Sequence, residues 1–574
     1  MSAARVLLAQ RLPVWRMRFV LVLLLAGFAL LLARALYLQG MHRDFLQRKG
    51  ESRYSRVVEV SAHRGMITDR HGEPLAISTP LESVWASPQG LALSNDQLVR
   101  LSKILEVAPA EIRKRTADSE REFVYLKRQL PPDTAHRAMA LGIRGIFLER
   151  EYRRFYPAGE VTAHLIGFTG IDDNGQAGLE LALEPALVGE AGSRRVIRNR
   201  LGHVIEDVES IRPPKPGRNL ALSADSRIQY IAYRELNAAV AAHRAKGGGI
   251  VVLDARTGEV LALANSPSFN PNNRASLTFE RARTRAVTDL FEPGSTLKPF
   301  TVAAALDAGI VKPDSAISIA PGMLKVGKRT IRDVHRSDVL TVGEIIQKSS
   351  NVGAAKLALA LEPKQLWEVL ERCGFGSAPQ TGFPGEGAGK LRPYRDWKPI
   401  EQATLSYGHG ISATLLQLAR AYTVFANEGV LKSVSFLKRD APGPESQAIS
   451  ARSAREVKAM LESVTHPGGT APRARIAGYR VAGKTGTAHK LEDKRYVRDK
   501  YVSSFVGFAP ASDPRLIIAV MIDEPSAGQH YGGAVAAPLF SNVMSATLRL
   551  LSVSPDAPES LAPVPPAMEI KEEV

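Results

Sequence analysis

Cysteine is nearly absent from this chain. Cys373 is the only one in 574 residues, so no internal disulfide can form and no cysteine-ligated metal cluster can assemble. The 12 histidines are scattered without ligand spacing, so neither a metal nor any other cofactor is expected. Nucleic-acid signatures are missing as well: there is no zinc finger, no RNP-type sequence and no long basic run. The formal net charge of +17 comes from basic residues interleaved with acids. Nucleic acid is therefore not an expected partner, whereas anionic lipid or cell-wall polymer suits a basic exterior. No internal repeat is evident, and only one long apolar run occurs.

That run, "RFVLVLLLAGFALLLARALYLQ", is apolar from Phe19 to Ala33 and continues past Arg34 through Leu38. About 20 such residues span the hydrocarbon of a bilayer, so a membrane helix is expected over residues 19–38, with Arg34 snorkelling beside Tyr37. The run is long for a signal peptide, and no small-x-small cleavage site follows it. Arg5, Arg11, Arg16 and Arg18 precede it without an acid, which places residues 1–18 in the cytoplasm and the bulk outside. Arg43, Arg48 and Lys49 on the other flank weaken that asymmetry.

The length calls for two or three domains, and 45% hydrophobic with 23% charged residues is ordinary globular composition. From residue 51 to about 213 short strand-like runs alternate with turns, as in "HRGMITDRHGEPLAIS", where "DRHGEP" has hairpin chemistry. "SIRPPKPGRNL" is the best linker, which divides the chain into a domain at 39–215 and another at 216–553. In the latter, "RIQYIAYRELNAAVAAHRA" has helical spacing, and "GGIVVLDARTGEVLALANS" reads as two strands about "ARTG". "YVSSFVGFAP" and "RLIIAVMIDEP" add two more strands, giving an α+β class with an antiparallel sheet and a helical subdomain. The Pro-rich acidic end, 554–574, is expected to be a disordered tail.

Chemistry concentrates in three short stretches. "FEPGSTLKPF" sets Ser295 and Lys298 three residues apart at a helix start, with Pro299 tolerated in the first turn. Either Ser295 caps that helix, or it is a nucleophile beside its base at the positive helix end. Ser435 and Lys438 match Ser-x-x-Lys too, so the tetrad alone is loose. "IIQKSSNVGAAKLALAL" puts Ser349, Ser350 and Asn351 in a break between helices. "YRVAGKTGTAHK" puts Lys484, Thr485, Gly486 and Thr487 on a strand near a sheet edge, where a glycine admits a ligand backbone. Taken in this order, Ser-x-x-Lys, Ser-x-Asn and Lys-Thr-Gly form the combined signature of penicillin-binding proteins and class A β-lactamases.

The chain resembles a class B penicillin-binding protein, in particular the division-specific (septal) D,D-transpeptidase of Gram-negative bacteria, the FtsI family. The resemblance also rests on "RGMITDRHGEPLA" (64–76), "RRFYPAGEVTAHLIG" (153–167), "GLELALE" (178–184), "PNNR" (271–274), "FPGE" (383–386) and "DEPSAGQHYGG" (523–533). It implies an inner-membrane protein with one span, an elongated, mostly-β periplasmic pedestal of the dimerisation type at 39–215, and a transpeptidase domain at 216–553. It implies further that Ser295 is the nucleophile and Lys298 its base. Ser349, Asn351 and Lys484 would assist, and the backbone N–H groups of Ser295 and Thr487 would form the oxyanion hole. Thr485, Gly486, Thr487, Tyr407, His409 and Tyr531 would line the substrate and β-lactam pocket. The implied partners are peptidoglycan stem peptides, lipid-linked precursor glycan, β-lactams, a division glycosyltransferase and other septal membrane proteins. Two further readings remain: a hydrolase that sends the same acyl-enzyme to water, and a non-catalytic scaffold.

His409 departs from the resemblance, which favours an aromatic residue there. Imidazole is the one side chain with an ordinary pKa, roughly 6.5, inside the range an exposed periplasm visits. Acylation by carboxylate-bearing β-lactams is expected to vary with pH between about 5.5 and 7.5 through His409. Second-order acylation rates across that window should differ in profile between the wild type and His409→Tyr, and superimposable profiles would leave His409 a wall residue.

Overall fold

The computed structural model describes residues 14–41, 55–198, 204–334, 337–492 and 495–557. Residues 1–13 of the expected cytoplasmic segment, and the expected tail from 558, lie outside them. The apolar run forms α1 (Val14–Leu36), and the chain continues as a wider turn to Met41. The helix is already formed at Val14, ahead of the expected Phe19, so Trp15, Arg16 and Arg18 are part of it, with the Arg16 guanidinium 5.5 Å from the Trp15 ring. Val14–Gln39, 26 residues, is the one candidate membrane span among the described residues. At 1.5 Å per residue it reaches roughly 39 Å, more than the ~30 Å of bilayer hydrocarbon. Its apolar side chains, Leu24, Phe28 and Leu31 among them, are exposed, as a lipid-facing anchor requires.

Beyond the anchor the chain forms two compact units, which do not follow a single cut. The first comprises Pro80–Glu151 and Glu190–Lys215 together with the residues up to Ala62. Strands Ser55–Val60, Gly192–Arg198 and Val204–Arg212 make an antiparallel sheet in that order. Its separate core forms where Leu98, Leu101 and Leu105 of helix Asn95–Leu105, spaced three and four apart, meet Val84, Leu126 and Ile146. Ser94 and Gln97 close the start of that helix as a capping box.

The second unit takes His63–Thr79, Tyr152–Gly189 and everything from Pro216. The first two stretches join it because Ile67, Leu75, Tyr156, Leu165 and Leu179 share its hydrophobic core. α2 (Ser226–Ala242) starts at the Asp225 cap, whose carboxylate accepts the Arg227 N–H at 3.0 Å. Strands β1 (Gly247–Asp254) and β2 (Val260–Ser266) follow as a hairpin. A helical layer comes next: α3 (Lys298–Asp307), α4 (Val342–Gln347) and α5 (Asn351–Ala360). The chain then completes the sheet with β3 (Ala482–Glu492), β4 (Arg495–Ala509) and β5 (Leu516–Asp523), and ends on α6 (Gly532–Leu550). The sheet is antiparallel throughout, in the order β2-β1-β5-β4-β3. A Cβ on Gly248 would meet Leu236 of α2, and one on Gly249 would meet Leu415, so adjacent residues of β1 face helices on opposite sides. Both faces are covered, which is why "IVVL" and "LIIAVMI" are continuously apolar rather than alternating. The class is α+β.

One network of buried charge braces the second unit. Glu180 accepts from Arg64 Nε at 2.8 Å and from Arg154 Nε at 2.6 Å, and Arg64 also reaches Glu184 at 2.6 Å. The Arg64, Arg154 and Glu180 side chains are at most 2% exposed. Removing one partner strands the others in a medium that cannot solvate them. Glu180→Ala is expected to cost about 3–5 kcal/mol, measured by denaturant unfolding against the wild type.

Candidate active site

The chain reaches Ser295 along a tightly held segment. Phe291 exchanges both backbone hydrogen bonds with Ala413, at 3.1 and 3.0 Å. Gly294 then adopts φ +57, and a Cβ there would stand 3.2 Å from the Thr487 carbonyl oxygen. Glycine thus lets the turn press against β3. Ser295 lies in the 3₁₀ turn Gly294–Leu297, which runs directly into α3, with Pro299 in its first turn. The turn is pinned by Thr296 Oγ1 donating to Pro293 O (2.7 Å) and by the buried Tyr422 hydroxyl donating to Thr296 O (2.8 Å). Ser295 caps no helix: the cap position of α3 is Leu297. Its Oγ lies 2.9 Å from Lys298 Nζ instead.

Lys298 is fully buried in a helix whose residues are covered from Lys298 through Leu306. Its Nζ donates to the Ser349 carbonyl at 2.6 Å and lies 3.0 Å from Ser349 Oγ. Ser349 sits between α4 and α5 at φ +61, a left-handed conformation that costs a non-glycine residue on the order of 1–3 kcal/mol. Its neighbour Ser350 caps α5, accepting the Gly353 N–H at 2.9 Å. Asp333 braces the same helix end: it accepts from Ser350 Oγ (2.5 Å) and from the N–H groups of Asn351 (2.6 Å) and Val352 (3.0 Å). A carboxylate at a helix N-terminus is favourably placed. Asn351 Nδ2 reaches the Arg332 carbonyl at 3.4 Å.

Opposite lies β3, an edge strand of the sheet. Lys484 and Thr485 are fully buried, with Lys484 Nζ donating to Thr485 Oγ1 at 2.9 Å. Thr485 Oγ1 is also 2.9 Å from Thr470 Oγ1. Thr487 Oγ1 accepts the Gly532 N–H at 3.0 Å, which fastens the start of α6 to the strand. Gly486 is required by crowding: a Cβ there would lie 2.4 Å from Ser504 Oγ and 2.8 Å from the Pro293 carbonyl.

Aromatic and imidazole rings pack on one another in two groups. Tyr531 packs on His530 (centroids 4.3 Å), which stacks on Tyr501 (4.0 Å), itself 4.7 Å from His489. Burial pushes His489 below the usual imidazole range, assisted by nearby His409, and burial does the same to His530, assisted by His489. Tyr407 meets His409 edge-on at 5.3 Å, and His409 Nδ1 lies 3.3 Å from Glu292 Oε2. His409 is therefore engaged with a carboxylate rather than facing solvent alone.

Ser295, Lys298 and Ser349 thus converge, with β3 beside them. The second Ser-x-x-Lys does not assemble: Ser435 Oγ closes its own turn with Leu437, and Lys438 Nζ donates to Arg70 O at 3.1 Å. Asp333, Thr470 and Glu292 are the supporting residues absent from the sequence reading, since each acts across a gap in the chain and no local pattern marks it. Among the described residues no His, Cys, Asp and Glu group is placed to hold a metal ion.

Residues 248–545 match the penicillin-binding protein transpeptidase domain, and residues 59–222 match the penicillin-binding protein dimerisation domain. The chain is 45% identical over 554 residues to the probable peptidoglycan D,D-transpeptidase PenA of Neisseria gonorrhoeae, covering 96% of this chain and 95% of that one. It is 43% identical over 551 residues to the peptidoglycan D,D-transpeptidase FtsI of Escherichia coli, covering 95% and 93%. The chain belongs to the class B penicillin-binding proteins of the FtsI family. Among solved structures, the transpeptidase domain of Burkholderia pseudomallei penicillin-binding protein 3 is similar, at 46% identity and a TM-score of 0.54. It covers 58% of this chain and 97% of that domain.

The crowding at Gly486 gives a direct check. Gly486→Ala is expected to push β3 off the turn that carries Ser295 and to slow covalent labelling by fluorescent penicillin at least about tenfold, since misplacement near 1 Å costs about 100-fold. Thermal unfolding measured alongside separates this from loss of fold.

Proposed function

We propose that this protein is a peptidoglycan D,D-transpeptidase that cross-links stem peptides at the division septum through a serine acyl-enzyme, and that β-lactams inhibit it covalently. The observation that carries this reading is the buried Lys298 amine within 3.0 Å of both Ser295 Oγ and Ser349 Oγ, beside an edge strand. Lys298 takes the Ser295 proton as Oγ attacks the carbonyl carbon of the penultimate D-alanine. The N–H groups of Ser295 and Thr487 hold the resulting oxyanion, and losing one such donor costs about 3–4 kcal/mol of transition-state stabilisation. The bond to the terminal D-alanine breaks as Ser349, polarised by Lys484, passes its hydroxyl proton to the leaving amine and recovers one from Lys298, 3.0 Å away, so that the proton taken from Ser295 leaves with the D-alanine. The amine of a second stem peptide then attacks the ester, frees Ser295 and completes the cross-link. The donor peptide pairs along residues 484–487, with its carboxylate at Thr485 and Thr487 and its amide at Asn351. Gly486 keeps the strand close against the Ser295 turn, and Tyr407, His409 and Tyr531 wall the pocket. A β-lactam opens in the same attack but keeps its leaving amine tethered, so the ester persists.

The same reading puts residues 39–215 outside the inner membrane as the pedestal and 216–553 as the transpeptidase domain, both in the periplasm. It assigns a septal glycosyltransferase and other division membrane proteins as partners, with lipid-linked glycan as a substrate source. No step calls for a metal or cofactor.

Ser295→Ala is expected to abolish covalent labelling by a fluorescent penicillin in a protein that still unfolds cooperatively, while Ser435→Ala labels normally. A labelled Ser295→Ala protein overturns the assignment. Release of the label within minutes favours the hydrolase reading, and absence of labelling in the folded wild type favours the scaffold.

A further inference from the structure

Three residues before Ser295, the Glu292 carboxylate collects donors from two distant parts of the chain. It accepts the Gly410 N–H at 2.8 Å and the Tyr496 hydroxyl at 3.1 Å, and it lies 3.3 Å from His409 Nδ1. Its side chain is 10% exposed, so these groups replace most of its water. Gly410 and His409 belong to the loop after Tyr407, which presses on the Ser295 turn. A Cβ on Gly408 would stand 2.1 Å from the Gly294 carbonyl. Tyr496 belongs to the outer half of the β3–β4 hairpin, the continuation of the strand that holds Lys484 and Thr487.

That outer half has little apolar packing to hold it. It stands over a cleft of about 440 Å³, lined by Leu290, Phe291, Glu292, His489 and Leu491, and Leu491 and Tyr496 are half exposed. The register also breaks between His489 and Leu491. Polar ties must therefore set the hairpin's position, and the Tyr496–Glu292 contact runs to the segment that enters Ser295. We infer that Glu292 is a positioning residue for acylation: its carboxylate latches the 407–411 loop and the end of the β3–β4 hairpin to the turn carrying Ser295. This rests on the reading of Ser295 as the nucleophile.

The latch works by accepting hydrogen bonds, so an amide oxygen should replace it largely and a methyl group should not. In stopped-flow acylation of the full-length protein by a chromogenic cephalosporin, Glu292→Ala should lower the acylation rate constant about 10–100-fold, with the dissociation constant of the initial complex within about threefold of wild type. Glu292→Gln should recover most of the loss, and Tyr496→Phe should show a smaller loss in the same rate constant. Wild-type acylation by Glu292→Ala overturns the inference, as does equal loss in Glu292→Gln and Glu292→Ala. If Glu292→Ala does not fold, the comparison of Glu292→Gln with the double variant Tyr496→Phe, His409→Ala decides: the double variant must acylate more slowly, and equal rates overturn the latch. Ser295→Ala in the same assay keeps the two readings apart. Its continued acylation would remove the nucleophile assignment, whereas a silent Ser295→Ala with a fully active Glu292→Ala would remove only the latch.

Discussion

A lysine amine without water needs oxygen around it, and much of the helical layer is arranged to supply that oxygen to Lys298. Ser295 provides one contact from the turn before Lys298, and Ser349 provides two from 51 residues along the chain. The last two include a main-chain carbonyl at 2.6 Å, so a shift of the α4–α5 junction takes a short contact from the amine, which is costly in a buried site. The left-handed φ of Ser349 follows from this constraint. That conformation turns both the carbonyl and the hydroxyl of one residue toward Nζ, and Asp333 fixes the first turn of α5 immediately after it. Strain at Ser349 is thus held in place by hydrogen bonding on both sides.

Around the Ser295 turn the sheet is met by backbone at close quarters. At Gly294, Gly408, Gly486 and Gly532 an added Cβ would fall 2.1 to 3.2 Å from a neighbouring main-chain oxygen. Close approach of this kind brings the Ser295 turn, the loop after Tyr407, the edge strand and the start of α6 into one small region. At Gly408, Gly486 and Gly532, where the nearest atom would be within 2.4 Å, a single methyl group would prise the layers apart. An edge strand held so close to a helix start leaves a narrow slot in which an extended chain can pair with the strand while facing the serine hydroxyl.

The three motifs were legible because each is local: a helical turn brings residues three apart together, and a helix break or a glycine in a strand is visible in the residues themselves. The central strands could be read because "ARTG" and "ASDP" interrupt runs too short for helices. The residues that could not be read are those whose partners are distant. Asp333 acts on a helix 17 residues later, and Glu292 on groups 118 and 204 residues away. The division into units was hidden for a related reason. The alternation in "HRGMITDRHGEPLAIS" shows that one face is buried but not against what, and Ile67, Leu75 and Ala76 pack into the core of the sheet-bearing unit.

The two Ser-x-x-Lys tetrads show what turns a spacing into a site. Ser435 and Lys438 lie in irregular chain, so nothing carries both side chains to the same side. The serine hydroxyl is spent on its own turn, and the lysine, free to reach outward, finds a carbonyl elsewhere. Ser295 and Lys298 lie in one continuous helical turn that fixes both on one face. Burial then removes the alternative of solvation, so the amine must use the oxygens within reach, that of Ser295 at 2.9 Å among them. Helical continuity supplies the geometry and exclusion of water makes the contact obligatory; at Ser435 the first of these is missing.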